Sequence, residues 1–140
     1  MTNKERFLEL CSKVKREGIE DLVKWLEASD FFYAPASTRF HGAYAGGLLE
    51  HSLNVYDCLV KRMQHWKNDT YDEESIIILQ NFIKLKPEEI MAIAAHMGGW
   101  TSAVKGGSQF VGKIFDTCQL AVHLHLADME ASYLVEKRGE

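Results

Sequence analysis

Apolar residues recur at three- and four-residue spacing along most of the chain, while strict alternation of the strand type is sparse. Phe7, Leu8, Cys11 and Val14 predict a first helix that Gly18 stops. "IEDLVKWLEAS" predicts a second, with Leu22, Val23, Trp25 and Leu26 as its apolar members. A third runs from about Gly47 to Lys67, where Leu49, Leu53, Tyr56, Val60 and Met63 form a sustained stripe. "SIIILQNFI" would suit a strand by its β-branching alone, but its helical surroundings favour a buried helix. Pro87 fits the first turn of "PEEIMAIAAHMG", with two glutamates near the positive end of that helix. A short helix near "SQFVGKIF" precedes the last, "QLAVHLHLADMEASYLVEK", with Leu120, Leu124, Ala127, Ala131 and Leu134 on one face. No repeat, linker or low-complexity tract divides the chain, so the pattern predicts a single all-α domain over residues 1–140. The tryptophans read as core residues.

Two connections stand out from this pattern. "DFFYAPASTRFHGAYAGG" is long for a structureless loop, and such loops often carry function. "GGWTSAVKGG" is bracketed by glycine pairs, which permit close backbone approach to a ligand.

Composition narrows the partners. Of 140 residues, 46% are hydrophobic, enough for one core, and the formal charge is −4 from 16 basic and 20 acidic residues. That balance argues against duplex nucleic acid, while leaving room for a small anion held by local cations. Cys11, Cys58 and Cys118 form no CxxC pair and read as buried thiols of a cytoplasmic protein. The charged opening "MTNKERFLEL" predicts no signal peptide, and no apolar run approaches the roughly 20 residues of a membrane span.

Three helices each carry one polar group on or near an apolar face: His51 one turn from Leu48 and Val55, His96 at the end of "AIAAH", and Asp128 one turn after Leu124. An imidazole or carboxylate on a packing face costs free energy unless it is paired or bound. The plain alternative for each is a hydrogen-bonded core or boundary residue. That alternative is stronger still for His123 and His125, which alternate with leucine.

The segments "STRFHGAYAGGLLEHSLNVYDCL", "LKPEEIMAIAAHMGGW" and "LAVHLHLADMEASYL" resemble the HD-domain phosphohydrolases, in particular a small phage and bacterial form, over most of the chain and in the family's order. The resemblance implies an all-α bundle and metal-dependent hydrolysis of phosphate esters. The early histidine of the family falls on His51, the late aspartate on Asp128, and an additional histidine on His96. The family's His-Asp dipeptide has no match: the six histidines are followed by Gly42, Ser52, Trp66, Met97, Leu124 and Leu126. Between "HWKNDTYDEES" and "LQNFIKLKPEE" only Ile76 to Ile78 stand where the family would need another helix and a loop. The expected fold is therefore an HD-type bundle shortened by a central helix and loop.

Two readings of the site follow. In the first, the pocket persists without catalysis and without a metal, and the protein sequesters a small phosphorylated nucleotide. A cyclic or ADP-ribose-type signal captured by a phage-encoded sponge in the host cytoplasm would be such a case. Its ligand-binding residues are Arg39, His41, His51, His96, Trp100, Lys105 and Asp128: arginine suits bidentate phosphate binding, and Trp100 suits base stacking. In the second, His51, His96 and Asp128 hold Zn²⁺, Mn²⁺ or Fe, and a reduced phosphohydrolase remains. A third class, a helical protein with no ligand, stays open beside them. Loss of a core helix would expose apolar surface, so a homo-oligomer is expected.

Overall fold

In a computed structural model, residues 1–65, 85–98 and 105–136 are described. They form six α-helices in chain order: α1 (Asn3–Ser12), α2 (Ile19–Ala28), α3 (Gly47–His65), α4 (Pro87–Ala95), α5 (Phe110–Thr117) and α6 (Gln119–Glu130). A π-helical turn, Ala131–Val135, continues directly from α6. No β-strand occurs among the described residues, so the class is all-α. Among them, too, no helix is long and apolar enough to cross a membrane. The expected helix in "SIIILQNFI", the shortened seam at Ile76 to Ile78 and Trp100 lie outside the described residues.

Local chemistry sets the helix ends. Thr2 caps α1 through a reciprocal pair: its hydroxyl accepts from the Glu5 N–H at 3.2 Å, and the Glu5 carboxylate accepts from the Thr2 N–H at 2.6 Å. Helix α1 ends earlier than its apolar spacing suggested. The N–H groups of Lys13 and Val14 donate to the carbonyls of Leu10 and Cys11, the tight three-residue pattern of a closing turn. Gly18 therefore starts α2 rather than stopping α1, and takes φ 94° as it does so. Pro87 opens α4, and the Glu89 side chain reaches back to accept from the Lys86 N–H at 2.7 Å.

The core has two centres. Phe7, Leu10, Cys11 and Val14 meet Leu22, Leu26, Phe32, Leu49 and Leu53 around the amino-terminal half of α3. Val55, Cys58, Leu59 and Met63 of α3 meet α4, α5 and α6 in the second. Tyr56 packs against both. Ala92 and Ala95 of α4 and Ala121 and Ala127 of α6 are fully buried. Such small side chains let the two helix backbones come close.

Two apolar assignments fail for geometric reasons. Trp25 is 58% exposed, because the buried seam of α2 is Leu22 and Leu26, and Trp25 stands to one side of it. Leu134 is 80% exposed: the π turn, closed by the Glu136 N–H donating to the Ala131 carbonyl at 2.9 Å, rotates it off the face that Ala127 and Ala131 share.

Candidate functional site

His51 lies in the second turn of α3, with Asn54 on the same face one turn later. Its ring is held from both ends. Nε2 is 3.1 Å from Asp128 Oδ1 on α6, and Nδ1 is 2.9 Å from Glu136 Oε1, just past the π turn. Glu136 Oε1 also accepts from the Asn54 amide at 3.2 Å. The Glu136 side chain is only 1% exposed, and its other oxygen, Oε2, is buried with no hydrogen-bond partner.

The long loop before α3 supplies the fourth group. His41 lies against His51, ring centroids 5.0 Å apart and tilted by 37°, and its Nε2 is 3.5 Å from the Ser132 hydroxyl. The loop is fastened by its own hydrogen bonds. The Ser37 hydroxyl donates to the His41 carbonyl at 2.8 Å, the Ala36 N–H to the Gly42 carbonyl at 2.9 Å, and the Leu48 N–H to the Ala34 carbonyl at 3.0 Å. At the junction, a Cβ on Gly47 would stand 2.0 Å from the Gly42 carbonyl oxygen. No side chain fits there, and this close backbone approach is what sets His41 over His51.

Electrostatics follow from the two carboxylates. Burial works against charge on His51, but the contacts with Asp128 and Glu136 outweigh it and push its pKa up to about 9. With carboxylates on both ring nitrogens, the ring is an imidazolium at neutral pH in the absence of a cation. Burial likewise opposes charge on Glu136, yet the contact with His51 leaves its pKa below the ordinary value. Two acids around one imidazolium leave little positive field for a bare phosphate.

The same groups fit a metal ion better. His41, His51 and Glu136 each offer one ligand atom, and these atoms all lie within 4.8 Å of one another. Nitrogen and oxygen donors around a first-row transition ion sit at about 2.0–2.2 Å, so small side-chain movements would close the set on an ion. Glu136 Oε2 is a spare, desolvated acceptor in that set. Two imidazoles and a carboxylate suit Zn²⁺, Mn²⁺ or Fe.

The residues singled out in the sequence divide. His41, His51 and Asp128 come together. His96 does not join the three-residue group. At the end of α4 its Nδ1 is 2.5 Å from the Ile93 carbonyl, and its own carbonyl is 2.6 Å from His125 Nδ1. Arg39 is exposed, two residues before His41, and Lys105 is exposed just ahead of α5. Glu136, Asn54 and Ser132 were not anticipated. Asn54 follows His51 at helical spacing and Ser132 follows Asp128 at helical spacing, signals that a face-by-face reading would catch. Glu136 gave none: eight residues from Asp128, it would stand about 80° round a regular helix.

Fold and site together define an all-helical protein with a half-buried histidine–carboxylate cluster shared by three segments. No family model matches this chain, and neither does any curated protein or solved structure.

Proposed function

We propose that the protein captures a small phosphorylated nucleotide, and that a divalent transition-metal ion at His41, His51 and Glu136 holds its phosphate. The observation that carries this reading is the Glu136 oxygen, buried and without a partner, within a group whose ligand atoms lie within 4.8 Å. A buried unpaired carboxylate oxygen is costly, and a cation is the partner its surroundings fit. When bound, the ion supplies the positive charge that the two carboxylates otherwise deny to a phosphate.

The chain's own residues divide the remaining work. Asp128 stays on His51 Nε2 and fixes which ring nitrogen, Nδ1, faces Glu136. Ser132 orients His41 in the same way. The resemblance to the HD-domain family supports the nucleotide and the place of His51 and Asp128. The absence of the family's His-Asp dipeptide supports capture over turnover. A phage-encoded sponge for a cyclic or ADP-ribose-type signal, acting as a homo-oligomer in the bacterial cytoplasm, belongs to this reading on the same resemblance.

The test is to incubate purified protein with a nucleotide panel in Mn²⁺, in Zn²⁺ or in EDTA, remove free ligand, heat, and analyse what is released. Intact nucleotide retained only with metal is the expected result. Converted nucleotide would replace capture with metal-dependent phosphohydrolysis, the second reading, which the mixed nitrogen and oxygen donor set also favours. Protein that retains neither metal nor nucleotide would overturn both.

A further inference from the structure

The face of α3 that carries His51 and Asn54 continues one turn at a time to Cys58 and Arg62. Opposite it, Glu130 ends α6, and Leu134 and Val135 belong to the π turn that delivers Glu136. Between these two walls lies an open groove of about 490 Å³, lined by Cys58, Lys61, Arg62, Glu130, Leu134 and Val135. That volume lies within the range of small-molecule sites.

The groove differs in charge from the cluster beside it. Lys61 and Arg62 face a single acid, Glu130, which accepts from Arg62 Nη1 at 3.2 Å. Arg62 Nε is buried and has no hydrogen-bond partner. The pairing with Glu130 thus uses one edge of the guanidinium and leaves a donor unmet. The opposite wall is apolar: Leu134 is 80% and Val135 55% exposed, a surface that the apolar part of a ligand would cover.

We infer that this groove receives the far part of the ligand whose phosphate sits at His41, His51 and Glu136, and that this part carries a second anionic group met by Arg62 and Lys61. The inference rests on the capture reading above and deepens it. From His51 to Arg62 is eleven helical residues, about 16 Å along the axis, and the Arg62 side chain leans back toward Cys58. A lone nucleoside monophosphate is too short to reach from the cluster to the guanidinium. The ligand class is therefore dinucleotide-like: two phosphates, or a phosphate and another acid, separated by about two nucleosides, with an apolar or base face against Leu134 and Val135.

The test compares two probes by calorimetry in Mn²⁺: AMP, and the linear dinucleotide pApAp, whose terminal 5′- and 3′-phosphates are two nucleosides apart. Wild-type protein is expected to bind pApAp at least about tenfold more tightly than AMP, the gain of one charged hydrogen-bonded contact. Arg62→Gln and Lys61→Glu should each collapse that ratio toward one while leaving AMP affinity unchanged. Lys61 is exposed, so its reversal leaves the fold intact even if Arg62→Gln disturbs the contact with Glu130. Metal-dependent AMP binding with no preference for pApAp, or a preference that both variants retain, overturns the groove assignment alone. Binding of pApAp that Arg62→Gln abolishes but EDTA does not affect upholds the groove and overturns the metal reading. Failure to bind either probe overturns both.

Discussion

Replacing Arg16 with alanine tests how far burial decides the energetics of this fold. Arg16, between α1 and α2, meets Glu89 in the first turn of α4 through two parallel hydrogen bonds of 2.9 and 3.0 Å. The Glu89 side chain is 1% exposed and that of Arg16 16%. The pair joins the amino-terminal helices to the second core centre. Arg16→Ala removes both of those bonds and leaves a buried carboxylate with the Lys86 N–H still donating to it. Removing one member of a buried ion pair costs about 3–5 kcal/mol. At about 3 °C per kcal/mol for a chain of this size, the midpoint should fall by about 10–15 °C.

An internal comparison isolates the cause. Arg6 and Asp57 make the same two-pronged contact, with Arg6 Nη1 donating to Asp57 Oδ2 at 3.0 Å and Nη2 to Oδ1, but the two side chains are 34% and 38% exposed. Water screens that pair, so Arg6→Ala should cost no more than about 1 kcal/mol. Urea unfolding of both variants, with the Arg16→Met/Glu89→Met double variant, completes the measurement. The double variant should recover part of the loss, because it leaves no carboxylate at the buried Glu89 position. Equal costs for the two arginine variants, or a double variant as unstable as Arg16→Ala, would refute the reasoning that desolvation governs the difference.

Gly98→Ala should destabilise by about 1–3 kcal/mol: Gly98 has φ +52°, and a Cβ there would stand 2.5 Å from the His125 ring. Adding His125→Ala should restore the part due to the clash but not the part due to φ, as thermal melts of the two variants would show. Gly47→Ala should be harsher, since its Cβ would meet the fixed Gly42 carbonyl rather than a movable side chain. The readout is loss of metal binding as His41 leaves His51, with helical circular dichroism largely kept. Glu136→Gln should lower affinity for Mn²⁺ or Zn²⁺ by at least about tenfold, seen as loss of the metal-induced rise in melting temperature. Cys11, Cys58 and Cys118 are buried, and burial pushes the Cys11 thiol up to about 11. Ellman's reagent at pH 8 should therefore react slowly with native protein and rapidly with all three thiols after unfolding.

Helix periodicity made α3 and α6 legible because their buried stripes follow the 3.6-residue repeat, Leu49, Leu53 and Met63, then Leu120, Leu124 and Ala127, while α4 was legible from Pro87 and the two glutamates that follow it. The same periodicity misplaced Trp25, where hydrophobicity alone stood in for facing direction. His51 and Asp128 were legible as polar groups on apolar faces, and their 3.1 Å contact follows from the packing of α3 against α6. His41 was legible only through its loop, since no repeat positions a residue outside a helix.

Glu136 was hidden for a specific reason, and it is the residue on which the site turns. Reading forward from Asp128 assumes that each residue advances by the same angle. Five residues of π winding, ending in the bond from the Glu136 N–H to the Ala131 carbonyl, break that assumption. The break turns Leu134 outward and Glu136 inward, so the exposed apolar wall and the buried acid have one cause. A regular helix through this segment would turn Leu134 back toward the core and carry Glu136 away from His51. His51 would then have Asp128 as its sole carboxylate partner, and the three-residue donor group would lose its acid. The winding defect is thus what converts a histidine–aspartate contact between two helices into a cluster that can hold a cation, and it opens the groove beside that cluster in the same movement.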